Sequence, residues 1–334
     1  MSAALLGGLA MILVAGVMAG NCMLPMKFAR RWHWENTWLV FSLVSLVVLP
    51  WSLALLLAGD LVEIYRGLSI GQWLLPCALG MGWGIAQVLF GLSIARLGLA
   101  LGCAIIIGLG SLFGTLVPLF FKNRAVLVTP RGALVLCGLA VMVAGVIVSA
   151  RAGRQREQKQ PASRGGGYAF ALVMAVACGL MAPMVNYSFA FGQDIAERAV
   201  RLGVPSTRAG YAVWPVGLAG GLLPNLAYSI YLLFRNHTWG AFRGPWGREA
   251  GLAALMGALW MGAMAIYGVA AVYVGVFGLS LGWGLFQIFN IMSANVSGVL
   301  TGEWKAAPAG ALRTLYAGLA LLACATVILA AGNR

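Results

Sequence analysis

Long stretches without a charge alternate with short polar segments along the whole chain. Residues 1–26, 36–59, 67–95, 97–121, 132–150, 165–193, 209–234 and 314–333 carry no Asp, Glu, Lys or Arg. Each can cross a hydrocarbon core of about 30 Å at about 1.5 Å per residue of helix. The uncharged run 250–302 is 53 residues long, which as one helix would measure about 80 Å. It must fold back, most simply near Gly275 to Gly278. Eight single spans and one double predict ten. They must be helices, because lipid offers backbone groups no water to bond and the runs are too long for barrel strands. The predicted class is therefore an all-α polytopic membrane protein. The first span, 3–26, has no basic residue ahead of it, so it reads as a retained span and not as a leader peptide.

Composition agrees: 61% of the residues are hydrophobic and 9% charged, against roughly 25% charged in soluble domains. The net charge of +14 sits in short clusters flanking apolar runs, as membrane anchors do, and not on one basic face, so no nucleic-acid partner is expected. With the N-terminus outside, 14 basic residues fall in inside loops and 8 on the other side. The positive-inside rule then favours both termini outside. The cysteines lie inside the spans without metal spacing and read as small packing residues; no metal or cofactor is expected.

The second half echoes the first. LGLALG (97–102) matches FGLSLG (277–282) at an offset of 180, Trp83 with Phe90-Gly91 matches Trp260 with Tyr267-Gly268 at 177, and Leu49-Pro50 matches Leu223-Pro224 at 174. Ala19, Met23, Pro25 and Met26 match Ala177, Met181, Pro183 and Met184 at 158. The offset only grows along the chain, as loop insertions would make it. This predicts a five-helix repeat at 1–150, a basic connecting loop at 151–166 and a second five-helix repeat at 167–334. An odd number of spans per unit makes the repeats inverted, the arrangement of many secondary transporters, with the substrate site near the midplane between halves.

Little in the chain points to catalysis. Gly278-Leu279-Ser280-Leu281-Gly282 fits G-x-S-x-G, but the hydrolase elbow needs a strand–turn–helix and a histidine base, and His33 and His237 lie in loops. The motif reads better as G-x-x-x-G packing, repeated at Gly98/Gly102, Gly16/Gly20, Gly80/Gly84, Gly110/Gly114, Gly217/Gly221 and Gly298/Gly302. The eight carboxylates fall at span ends or in loops. The membrane interior instead offers amides: Asn21, Gln87, Asn186, Asn225, Gln287, Asn290 and Asn295. Amides both donate and accept, which suits a neutral, hydroxyl-rich substrate; the alternative is that they only bond neighbouring helices. Trp283, Gln287 and Asn290 share one helix face, and Trp83, Gln87 and Phe90 repeat that spacing. An aromatic ring beside an amide is a platform for a sugar. The expected substrate set is therefore Trp83, Gln87, Trp260, Tyr267, Trp283, Gln287 and Asn290, with Asn21 and Asn186. Trp32, Trp34, Trp38, Trp239 and Trp246 fit an interfacial belt better. Glu35 and Glu303, each beside a tryptophan at a span edge where burial raises a carboxyl pKa, are the candidates for proton coupling. Lys27 is placed to pair with Glu35; headgroup-level anchoring is the competing role for all three.

Several segments carry a family resemblance: PMKFARRWHWENTWLV (25–40), LVVLPW (46–51), GWGIAQVLFGL (82–92), RLGLALG (96–102) and GEW (302–304). They resemble the L-rhamnose–proton symporter family of the drug/metabolite transporter superfamily, over the whole chain. That resemblance implies ten helices in inverted five-helix repeats and proton-coupled uptake of a neutral sugar through a bacterial inner membrane. A metabolite or drug exporter of the same superfamily is the nearest alternative. An intramembrane enzyme is a further one, disfavoured by the lack of paired ionisable residues in the spans.

Overall fold

A computed structural model describes residues 3–157, 168–275 and 278–332. Ten long helices run through it: α1 (Ala3–Asn21), α2 (Trp34–Leu57), α3 (Ile70–Leu97), α4 (Leu99–Asn123), α5 (Pro130–Glu157), α6 (Tyr168–Arg201), α7 (Val213–Arg235), α8 (Gly247–Val274), α9 (Leu281–Leu300) and α10 (Ala309–Gly332). Among the described residues nine are long and apolar enough to cross a membrane. The tenth, α9, has the length, but Gln287, Asn290 and Asn295 dilute its apolar character. The chain is thus an all-α polytopic membrane protein. The connecting segment 158–166 lies outside the described residues.

The expected fold-back falls where Gly275, at φ +83°, ends α8. Gly98, at φ +82°, makes the matching turn between α3 and α4. Only glycine adopts such a backbone without strain. Gly98 is therefore a turn residue and not the packing residue its G-x-x-x-G spacing predicts, and Gly278 lies in the turn that follows Gly275. A Cβ on Gly278 would strike the carbonyl of Ala271 on the preceding helix.

Other G-x-x-x-G pairs do bring helices together. A Cβ on Gly80 or Gly84 of α3 would run into the carbonyl oxygens of Gly217 or Gly221 on α7. Gly16 and Gly20 of α1 seat in the same way on Phe289 and Asn290 of α9. Backbones this close gain dispersion contacts that lipid cannot match.

The main pairings come in exchanged sets. α1 packs on α8 and α9, as α6 packs on α3 and α4; α2 packs on α8, as α7 packs on α3; α4 packs on α5, as α9 packs on α10. Across the centre α5 lies along α10, α4 on α9 and α2 on α7. Interchanging α1–α5 with α6–α10 leaves this pattern unchanged.

Proline shapes three helices where it matters. Pro183 separates two segments of α6, Tyr168–Met181 and Met184–Phe191. Pro50 follows a π-helical turn, Val44–Val48, inside α2. Pro118 sits within α4 and leaves the Gly114 carbonyl without its helical donor.

Candidate functional site

A cavity of about 540 Å³ opens on the face that also holds the ends of α2, α4 and α6. Pro118 and Lys122 of α4 line it, with Phe189, Gln193 and Glu197 of α6, Tyr211 and Trp214 at the start of α7, Gly268 of α8, and Leu279 and Ser280 before α9. Small residues make the space: Ala196, Ala209, Gly210, Ala265, Ala271 and Gly275 also line it. Phe189 and Trp214 stack with centroids 4.5 Å apart and planes 8° from parallel. Gly268 lets them lie against α8, since a Cβ there would sit 3.2 Å from Phe189. Lys122 donates from Nζ to the Ala190 carbonyl and lies 5.8 Å over the Phe191 ring. The cavity thus combines a flat aromatic plate with an amide, hydroxyls and charges of both signs, donors and acceptors that a polyol can use.

A buried polar knot closes the space beneath it, tied to the lining residue Leu279. Asn186 donates from Nδ2 to the Gly114 carbonyl freed by Pro118 (3.2 Å) and to the Leu279 carbonyl (3.0 Å). The Tyr267 hydroxyl, fully buried, donates to Asn186 Oδ1 at 2.8 Å. Trp283 donates from Nε1 to the Gly110 carbonyl at 3.3 Å and packs edge-on to Tyr267. Three of the expected substrate residues, Asn186, Tyr267 and Trp283, are therefore brought together, each bonded to its neighbours.

About halfway along α3 and α8, Trp83 and Trp260 stack at 5.1 Å and 20°. Asn290 donates to Gln287 Oε1 at 3.4 Å within α9, and Gln87 is half-buried. Asn21 donates to Ser293 Oγ at 2.6 Å and accepts from Ser297, tying α1 to α9. None of the nine expected substrate residues lines the 540 Å³ cavity. Trp32 and Trp38 are buried, contrary to a belt role: Trp38 donates to Asn225 Oδ1 at 2.9 Å, and Trp32 packs edge-on to Phe242 and Trp246. Trp239 and Trp246 are exposed, as belt residues are.

The opposite face is closed by charged contacts. Lys27, expected to pair with Glu35, pairs instead with Glu303 in the α9–α10 connection. Arg156, at the end of α5, bonds the other Glu303 oxygen at 3.0 Å and lies 4.9 Å over the Trp304 ring. The sequence expectation of a raised pKa is reversed at Glu303. The hydrogen bond from Lys27 holds it below its ordinary value, burial opposes, and Arg156 adds to the lowering. Glu35, buried, accepts from Thr238 Oγ1 at 2.7 Å and Asn236 Nδ2 at 3.0 Å. Glu249, also buried, accepts from the Arg30 backbone N–H at 3.2 and 3.3 Å.

Sequence reasoning missed Trp214, Phe189 and Gln193 at the cavity, and Arg156 at the far face. One available signal was the Trp214-Pro215 pair just after the polar segment 194–208. Arg156 had none, because it sits among other basic residues at the end of a span.

The family model of the L-rhamnose-proton symport protein matches residues 1–333. The chain is 28% identical to the L-rhamnose-proton symporter of Cronobacter sakazakii over 340 residues, covering 99% of this chain and 97% of that one. It is 26% identical to the proteins of the same name from Yersinia pestis and Yersinia pseudotuberculosis, with the same coverage.

Proposed function

The chain belongs to the L-rhamnose-proton symport protein family, and from that premise we propose that it is a secondary transporter carrying a neutral sugar of the L-rhamnose type together with protons. The observation that carries the mechanism is the asymmetry of the two faces: a cavity of about 540 Å³ on one and a charged seal on the other. This is a carrier poised to load from the cavity side. The exchanged helix pairings support two inverted five-helix repeats, 1–150 and 167–334, joined by 151–166, and such repeats rock about a central site.

In this reading the sugar lays its C–H face on the Phe189–Trp214 plate and bonds Gln193. It then passes the floor of Asn186, Tyr267 and Trp283. Below lie the Trp83–Trp260 stack and the half-buried amides of Gln287, Asn290 and Gln87, with Asn21 near the exit. Glu303 and Lys27 couple protons at that exit, with Glu35 as a second carboxylate. Glu303 is ionised while both cations hold it, so it takes or yields a proton only once the seal has parted. The charge balance of the loops supports an orientation with the cavity face and both termini outside, which in a bacterial inner membrane is the periplasm.

The test is counterflow in proteoliposomes, in which labelled L-rhamnose enters vesicles preloaded with unlabelled sugar. Exchange without a gradient and accumulation with one support the proposal; no exchange contradicts it.

A further inference from the structure

Two hydroxyls beneath the cavity floor have no partner. Ser111 and Thr115 lie four residues apart, hence on one face of α4, both fully buried, and neither hydroxyl makes a hydrogen bond. Helical hydroxyls normally bond the carbonyl four residues back. In this chain Ser45, Ser229 and Thr326 do so, to Phe41, Asn225 and Leu322 at 2.7, 2.8 and 3.0 Å. Ser111 and Thr115 forgo that bond, and a buried hydroxyl left unbonded is disfavoured by its lost hydration. Ser42, Ser93, Ser149 and Tyr187 also have an unpartnered hydroxyl, as Gln155 has an unpartnered oxygen, but among the described residues only α4 carries two such hydroxyls, and Ser149 is closed in by Gly318.

The location separates this pair from the rest. Thr115 lies one turn from Pro118, which lines the cavity. Its Oγ1 stands 3.0 Å from where a Cβ on Gly284 of α9 would be, so only a glycine there leaves room for the hydroxyl. The adjacent Gly110 and Gly114 carbonyls are those taken by Trp283 and Asn186. α4 therefore meets α6 at Gly110 and α9 at Thr115, and it carries two unbonded hydroxyls within two turns of Pro118, which lines the cavity.

We propose that Ser111 and Thr115 bind hydroxyls of the transported sugar once it moves below the cavity floor, and so help to set substrate specificity. The inference rests on the sugar-transport reading. Each side chain donates and accepts, and a sugar hydroxyl satisfies both functions at once.

The experiment is gradient-free exchange of L-rhamnose by purified wild type, Ser111→Ala, Thr115→Val and Thr115→Ser. It is repeated with analogues that each lack one sugar hydroxyl. Ser111→Ala and Thr115→Val are each expected to raise the half-saturating concentration by about tenfold, the worth of one hydrogen bond to a buried group. Maximal exchange is retained, and Thr115→Ser behaves as wild type. Thr115→Val also ceases to discriminate against one particular deoxy analogue. Wild-type half-saturation in both variants overturns the proposal, and so does an equal loss for every analogue, the mark of a packing role. Should Thr115→Val fail to fold, Ser111→Ala decides alone by the same criteria. A wild type that exchanges no sugar refutes the transport reading itself, and this inference with it.

Discussion

Lys27 and Glu303 lie 276 residues apart in the sequence and meet in an ion pair that joins the segment after α1 to the α9–α10 connection. Arg156 completes the contact from the end of α5. The partners are 43% and 36% exposed, and exposed pairs contribute only about 0–1 kcal/mol. An interaction this weak does little for the fold, but it suits a seal that must form and part in every cycle. It lies on the face away from the cavity, where a carrier loading at the cavity has to be shut.

Glu303→Gln keeps the shape and removes the charge. Accumulation of sugar against its gradient is expected to be lost, while exchange persists. Glu35→Gln is expected to act in the same direction, since it removes the buried carboxylate that accepts from Thr238 and Asn236. Parallel measurement of gradient-driven uptake and counterflow checks both; normal accumulation by both variants removes these residues from the coupling role.

The triad also has a pH signature. Glu303 titrates below its ordinary 4.5, chiefly because Lys27 donates to it. A depressed carboxyl pKa contributes stability that is complete above the unfolded value and lost as pH falls through the folded one. Wild type is therefore expected to exceed Glu303→Gln in melting temperature by a constant, small margin above about pH 5 that shrinks on acidification. Thermal melts of both proteins in detergent from pH 7 to pH 3 test this; a margin that grows in acid contradicts it.

At the cavity, Trp214→Phe retains a plate against Phe189 and is expected to transport with a modestly raised half-saturating concentration. Gln193→Ala removes one hydrogen bond and is expected to weaken binding by about 1 kcal/mol. Concentration series of uptake separate these effects from lower expression, which changes only the maximal rate. Unchanged half-saturation in both variants would move the sugar site elsewhere.

Gly80→Leu places a side chain on the Gly217 carbonyl, where only backbone can yield. Overpacking of this kind costs about 3 kcal/mol. Loss of monodisperse protein on size exclusion is expected, whereas Gly71→Leu, at a site with open space, elutes as wild type.

The ten helices were legible because charge is so costly in lipid that its absence alone marks the spans. The packing glycines at 16/20, 80/84 and 217/221 were legible from spacing, but Gly98 shares that spacing and turns the chain at φ +82° instead, a difference held in φ and not in sequence. Asn186 shows why the site was harder to read. An amide that ties α6 to α4 and α8 looks the same in sequence as one that faces a substrate. The cavity arises where Gly210, Gly268 and Gly275 leave space, and no local pattern distinguishes glycines that pack from glycines that leave room. Lys27 and Glu303 were both visible as candidates; their pairing depended on bringing opposite ends of the chain together.

Proton-driven sugar transport is tested most directly by uptake of labelled L-rhamnose into proteoliposomes holding the purified wild type, with and without an imposed inward proton gradient. The gradient is expected to drive the internal concentration transiently above the external one, with one added protonophore reducing it to equilibration. Uptake that stops at equilibration whether or not the gradient is imposed would contradict proton coupling.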